Sequence, residues 1–127
     1  MKRKLLIIDD ESSHSRFIKW ILEDESYKFF TANSFKDAVK LLEREKFHLI
    51  LLDLIMPDED GFEILDYLKR DEKLRDIPVL VVSAKNDRES IEASLRKGAV
   101  DYVVKPYSSE VLHNKIALIL RMGLEIK

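Results

Sequence analysis

Apolar positions in this chain fall into two alternating kinds of segment. Short runs rich in β-branched and aromatic residues occupy residues 4–8, 28–32, 49–52, 79–82 and 101–104. Longer segments with apolar residues three and four apart follow them, at residues 13–24, 35–44, 62–69, 88–97 and 110–121. The first pattern predicts β-strands and the second amphipathic α-helices. The runs LLII, LILL and VLVV are apolar throughout instead of alternating, so these three strands are expected in the middle of a sheet covered on both faces. Helix punctuation agrees with this division. Ser34 followed by Asp37 has the form of a capping box, and Ala38, Leu41 and Leu42 continue as a core-facing stripe. Leu112, Ile116, Ile119 and Leu120 make a similar stripe, and Gly98 and Gly123 are placed to end helices in the left-handed conformation.

Five strand–helix units, with no internal repeat, low-complexity tract or linker to divide them, predict one domain over residues 1–127. Its class is α/β, a (βα)5 doubly wound five-stranded parallel sheet. Right-handed crossovers with helices on both faces require the strand order to reverse once, most simply as 2-1-3-4-5, the flavodoxin-like winding. Ligands of such sheets bind beyond the carboxyl ends of the strands, beside the reversal. The polar residues that end the strands are therefore the first candidates for function.

Composition removes several alternatives. The absence of cysteine excludes disulfides, thiolate metal sites and thiol nucleophiles, and it fits a reducing, cytoplasmic location. His14, His48 and His113 show no metal-ligand spacing, and Gly61, Gly98 and Gly123 lie too far apart for either glycine-rich nucleotide loop. With 22 Lys+Arg against 24 Asp+Glu, no global positive field exists to draw in nucleic acid. The apolar run at residues 5–8 is too short for a secretory signal or a membrane span, so no membrane association is expected.

At the strand ends the chemistry concentrates. The first strand runs into Asp9, Asp10 and Glu11, the third into Asp53, the fourth into Ser83 and the fifth into Lys105-Pro106. A single Asp in such a loop commonly caps the next helix, Ser83 could do the same, and Lys105 alone reads as a solvated surface charge. Asp53 is different, because Leu54, Ile55 and Met56 follow it where a helix start would be. Clustered carboxylates are relieved by protonation or by a hard divalent cation, and oxygen-only ligands favour Mg²⁺ or Ca²⁺ over zinc. Few protein ligands suggest Mg²⁺ that keeps several waters. A carboxylate nucleophile, a cation, a hydroxyl and a fixed ammonium together form a phosphoryl site, and no general base for water accompanies them.

Across essentially its whole length the chain resembles a response-regulator receiver domain of two-component signalling, of the single, chemotaxis-regulator-like kind. The resemblance is carried by the acids in IIDDE, Asp53 in LLDLIMPDEDG, Ser83 in VVSA, and Tyr102 with Lys105 in DYVVKP. It implies that Asp53 accepts a phosphoryl group from a sensor histidine kinase or histidine phosphotransfer protein. Asp10 and Asp53 would hold Mg²⁺ with the backbone carbonyl of Ile55, Asp9 would act through metal-bound water, and Lys105 would pair with phosphoryl oxygens. The Lys105-Pro106 peptide is a candidate for the cis form. Ser83 and Tyr102 would be the switch pair, Tyr102 swinging inward as Ser83 moves to the phosphoryl group. The fourth helix, fifth strand and fifth helix would then change shape for a downstream target protein or effector domain, in a monomer for which the family implies phosphorylation-linked dimerisation. Ile55 and Lys85 flank the chemistry; an apolar Ile55 offers no hydrogen bond to an attacking water, and slow to intermediate self-dephosphorylation is expected. Pro57 fixes φ in the loop after Asp53, Gly61 allows a sharp turn before the third helix, and Tyr107 stands where many relatives carry Phe.

Three competing readings are weaker. An aspartyl-phosphate phosphatase needs a second Asp two residues after the nucleophile, where this chain has Ile55, so catalysis on external substrates is not expected. A flavin-binding module needs phosphate-cradling loops, and the loop after the first strand is anionic instead. A degenerate receiver that works unphosphorylated does not fit the intact set of acids, Ser83 and Lys105.

Overall fold

A computed structural model describes residues 2–23 and 26–126, with side chains as far as residue 122. Five parallel strands form the main sheet: β1 (Arg3–Ile8), β2 (Tyr27–Ala32), β3 (Leu49–Leu52), β4 (Val79–Ser83) and β5 (Asp101–Val104), in the order β2-β1-β3-β4-β5. Two further two-residue strands, Ile55–Met56 and Glu59–Asp60, pair only with each other and stay outside this numbering. The helices are α1 (Ser12–Ile21), α2 (Phe35–Arg44), α3 (Gly61–Arg70), α4 (Arg88–Arg96) and α5 (Ser109–Ile126). Class, topology and strand order are those expected from the apolar pattern.

The continuous apolar runs are buried on both sides because alternate residues serve different layers. Leu6, Ile8, Ile50, Leu52, Val79 and Val81 pack with Ala38 and Leu42 of α2 and Ile64, Leu65 and Leu68 of α3. Leu5, Ile7, Leu49, Leu51, Leu80 and Val82 pack with Ile18 of α1 and with Leu112, Ile116, Ile119 and Leu120 of α5. The sheet is thus a rigid plate between two cores.

Helix ends differ from expectation in instructive ways. α1 stops at Ile21 with Leu22 as its C-cap, short of Asp24, which lies outside the described residues. α5 continues past Gly123 to Ile126, because nothing after that glycine blocks another helical turn; the side chains there lie outside the described residues. Gly98 does take a left-handed φ of 109° after α4. Ser34 accepts from the Asp37 N–H at 3.2 Å, as a capping box requires, but the Phe35 N–H donates to Glu59 Oε1 at 2.8 Å. A side chain of the small ladder therefore shares the capping of α2.

The segment between β3 and α3 is fixed by close approach. The left-handed residue of its turn is Asp58, at φ 60°, not Gly61. Gly61 is needed for another reason: its N–H donates to the Leu54 carbonyl at 3.2 Å, and a Cβ there would sit 2.4 Å from the Leu54 Cα. Backbone cannot yield as a flexible side chain can. Gly61→Ala should cost about 2 to 4 kcal/mol, measured as a lowered urea midpoint, and an unchanged midpoint would refute this packing constraint.

Candidate functional site

Asp9 and Asp53 leave the sheet side by side, because Ile8 of β1 pairs with Leu52 of β3. Their backbones continue the ladder by one bond: the Asp53 N–H donates to the Ile8 carbonyl and the Asp9 N–H to the Ala32 carbonyl, each at 3.0 Å. Both residues are only 4% exposed, so two carboxylates meet in a largely desolvated crevice. Repulsion there must be offset. Lys105, one residue beyond β5, donates to Asp53 Oδ2 at 2.8 Å and to Asp9 Oδ2 at 3.2 Å. The Lys105-Pro106 peptide is cis.

The other oxygens have local partners. Asp53 Oδ1 accepts from the Ile55 N–H at 3.0 Å, and Asp9 Oδ1 from the Glu11 N–H at 2.9 Å. Neither carboxylate makes a side-chain cap to a helix, since α1 has Glu11 as an N-cap without a side-chain bond and α3 is capped by Asp60, as α4 is by Asp87. Ser83 is fully buried at the end of β4 and accepts the Lys85 N–H at 3.3 Å, so it is not a cap either.

Three carboxylate groups, from Asp9, Glu11 and Asp53, bring oxygens within 4.8 Å of one another. Asp10 is not among them. It is exposed and lines a cleft of about 360 Å³ between α1 and the β2–α2 turn, with Arg16 and Asn33. Asp9 lines the same cleft, so Asp10 stays beside the cluster at a bend in the chain. An all-oxygen, acidic set of this kind suits a hard divalent cation.

Burial alone would raise the Asp9 carboxyl, but hydrogen bonds from His14 and the Glu11 N–H, with the charge of Lys105, hold it below its ordinary 3.8. Burial would likewise lower the Lys105 ammonium, yet its bond to Asp53 and the charges of Asp53 and Asp9 keep it above 10.5. The site is a compact cluster of acids gathered around one ammonium.

Tyr102 is buried, and its hydroxyl donates to the Lys85 carbonyl in a short bond. Its phenol is pushed up by burial, against a lowering bond with Ser83. A hydroxyl facing only water is therefore not what the structure has. Lys85 directs its ammonium to Asp87, 3.6 Å away, and the Ile55 side chain is half exposed.

Sequence reasoning gave two residues here no part in the site. His14 Nδ1 lies 2.6 Å from Asp9 Oδ2, and its Nε2 lies 2.7 Å from the Tyr107 hydroxyl. Burial pushes the Tyr107 phenol up to about 12, with Lys105 opposing and Asp9 reinforcing. The only available signal was a His on the first turn of the helix that follows the acids, which spacing rules for metals do not detect.

A family model described as "Response regulator receiver domain" matches residues 5–117. The chain is 35% identical over 119 residues to the transcriptional regulatory protein AfsQ1 of Streptomyces coelicolor, covering 94% of this chain and 52% of that protein. It is 32% identical to the phosphate regulon transcriptional regulatory protein PhoB of Escherichia coli, covering 95% and 53%. The chain thus spans about half the length of the curated relatives it matches. Among solved structures, a CheY-like response regulator receiver domain protein from Methanospirillum hungatei superposes with a TM-score of 0.90 at 29% identity over 100% of both chains. The signal receiver domain of a putative Luxo repressor protein from Vibrio parahaemolyticus gives 0.89 at 30%, covering 98% of this chain and 95% of that one.

The depressed Asp9 carboxyl makes stability depend on pH. A carboxyl whose folded pKa is lowered contributes stability that is present above its unfolded value and lost as pH falls through the folded one. With divalent cations chelated, unfolding free energy should therefore fall as pH drops through and below 3.8, and Asp9→Asn should show a shallower fall. At neutral pH the same variant should be less stable by about 2 kcal/mol, since it leaves charged and polar donors poorly matched. Urea unfolding across the acid range checks both, and identical acid slopes would show that Asp9 is not held ionised.

Proposed function

Because the chain belongs to the response regulator receiver domain family, we propose that residues 1–127 form one phosphoryl-accepting switch domain, with Asp53 as the acceptor and a sensor histidine kinase or histidine phosphotransfer protein as the donor. The observation that carries this reading is the convergence of Lys105 on Asp53 and Asp9 in a buried crevice at the carboxyl end of the sheet. An Asp53 oxygen forms the new O–P bond as the P–N bond of a phosphohistidine breaks, and the leaving imidazole keeps the electron pair and takes up a proton. Lys105 then has a phosphoryl oxygen to pair with in place of a carboxylate.

Mg²⁺ is the cofactor proposed for this site, held among Asp10, Asp53 and the Ile55 carbonyl, with Asp9 acting through water; the clustering of Glu11 with Asp9 and Asp53 supports a cation there and adds a candidate ligand. When bound, the cation neutralises charge on the transferring group. The chain's own residues orient it: Asp53 is fixed by the Ile55 N–H and Lys105, and Asp9 by its three donors.

Ser83 and Tyr102 are the proposed switch. Both are tied to the loop after β4, Ser83 through the Lys85 N–H and Tyr102 through the Lys85 carbonyl, which supports that loop as the element a new charge would bias. The face of α4, β5 and α5 would present the outcome to a target protein or effector domain, as a monomer or a phosphorylation-linked dimer. The protein is read as a cytoplasmic signalling domain that binds neither nucleic acid nor membrane itself; among the described residues no helix is long and apolar enough to cross a membrane.

Incubation with Mg²⁺ and acetyl phosphate, followed by intact mass, should reveal one base-labile phosphoryl group that is absent from Asp53→Asn and from a metal-free control. Lys105→Met should slow its formation by about 100-fold. Decay over minutes or longer is expected with Ile55 and Lys85 beside the acceptor, and a lifetime of seconds would overturn that part. No modification of the unaltered protein would overturn the phosphoacceptor reading itself.

A further inference from the structure

The Asp9 carboxylate is unusually committed. Ionised, it is an acceptor with about four lone-pair positions over two oxygens. Oδ2 takes two donors, His14 Nδ1 at 2.6 Å and Lys105 Nζ at 3.2 Å, and Oδ1 takes the Glu11 N–H at 2.9 Å. One position on Oδ1 is left open. Since the carboxylate can only accept, Nδ1 of His14 bears the hydrogen that points at it, and in the neutral ring Nε2 is then an acceptor for the Tyr107 hydroxyl. Tyr107 is itself held edge-on to the His14 ring, with centroids 5.8 Å apart, and packs on Phe17 from the same helix. The imidazole is thus fixed from behind by a half-buried phenol and faces the acid in front.

We propose that His14, braced by Tyr107, is a positioning residue that keeps Asp9 from coordinating a divalent cation through both oxygens, and so biases the acidic site toward Mg²⁺ over Ca²⁺. The inference rests on the reading of Asp9, Glu11 and Asp53 as a cation site. Mg²⁺ is satisfied by one or two carboxylate contacts and retained water, whereas Ca²⁺ takes more oxygens and readily accepts a bidentate carboxylate. A crevice in which Asp9 offers a single free position, enough to accept from a metal-bound water but not for a contact through both oxygens, suits the smaller ion. Withdrawal of His14 frees one of the two positions on Oδ2, Lys105 keeping the other, and gains more for the ion that can use two oxygens. The opposite arrangement, with His14 as a ligand in its own right, is unavailable while both ring nitrogens are engaged by Asp9 and Tyr107.

The test is calorimetric titration of the phosphoryl-free protein with Mg²⁺ and with Ca²⁺, which reads affinity independently of any reaction. His14→Leu should tighten Ca²⁺ more than Mg²⁺, lowering the preference for Mg²⁺ by about five-fold or more. His14→Asn places an amide N–H where Nδ1 stands and should restore the preference to within about two-fold of the unaltered protein. Tyr107→Phe keeps the ring and removes only the brace, so its preference should fall in the same direction by a smaller factor; this variant decides the matter if His14→Leu does not fold. A protein that binds Mg²⁺ but shows the same preference in His14→Leu and Tyr107→Phe as without substitution would overturn the role of His14 alone. Failure of the unaltered protein to bind either ion would overturn the cation site, and this proposal with it.

Discussion

The structure depends on one ammonium group. The winding of the sheet brings Asp9 and Asp53 together at the ends of neighbouring strands, where both are shielded from water. Two such charges, a few ångströms apart in a weakly polarisable crevice, would favour protonation or separation of the strand ends. Lys105 reconciles them by bonding both, and it reaches them from β5, two strands away from β3 in the sheet. A contact between the first, third and fifth strands thus closes the fold at the very place where its chemistry lies.

That arrangement joins local order to long-range order. Ile8 and Leu52 are fully buried and set the register; the polar residues immediately beyond them inherit their alignment. The cores above and below the sheet leave β1, β3 and β4 little freedom to slide, and so confine the Asp53 carboxylate along with its own bonds. Precision at Asp53 is in this sense a property of the leucines.

Much of this was legible in advance, for a physical reason. Runs such as LILL and VLVV have no polar face and can exist only between layers, so they reported the central strands, the doubly covered sheet and the crevice beyond it. Asp53 and Ser83 were readable because each directly follows such a run, and Lys105 because it directly follows the fifth strand. What escaped were effects of direction and of contact across space. Glu11 joins Asp9 and Asp53 in the carboxylate cluster, a proximity that motif order alone does not encode. The bonds linking His14, Tyr107 and Asp9 span residues 93 apart in the chain, and the crowding that requires Gly61 comes from the backbone of Leu54 rather than from a turn type. Periodicity also could not see that Glu59 completes the first turn of α2, because a capping acceptor is usually sought next door in sequence.

This last bond gives the site a direction. The stretch after Asp53 is anchored on one flank: its small ladder reaches α2 through Glu59, its Leu54 carbonyl receives Gly61, and Asp60 begins α3 by accepting the Phe62 N–H. The opposite flank is fastened differently, by the paired bonds of Ser83 and Tyr102 to a single loop residue. The two flanks of Asp53 thus differ in kind: the α2 side is tied by three separate bonds between different pairs of residues, whereas the β4 side is tied to the two backbone polar groups of one residue, Lys85.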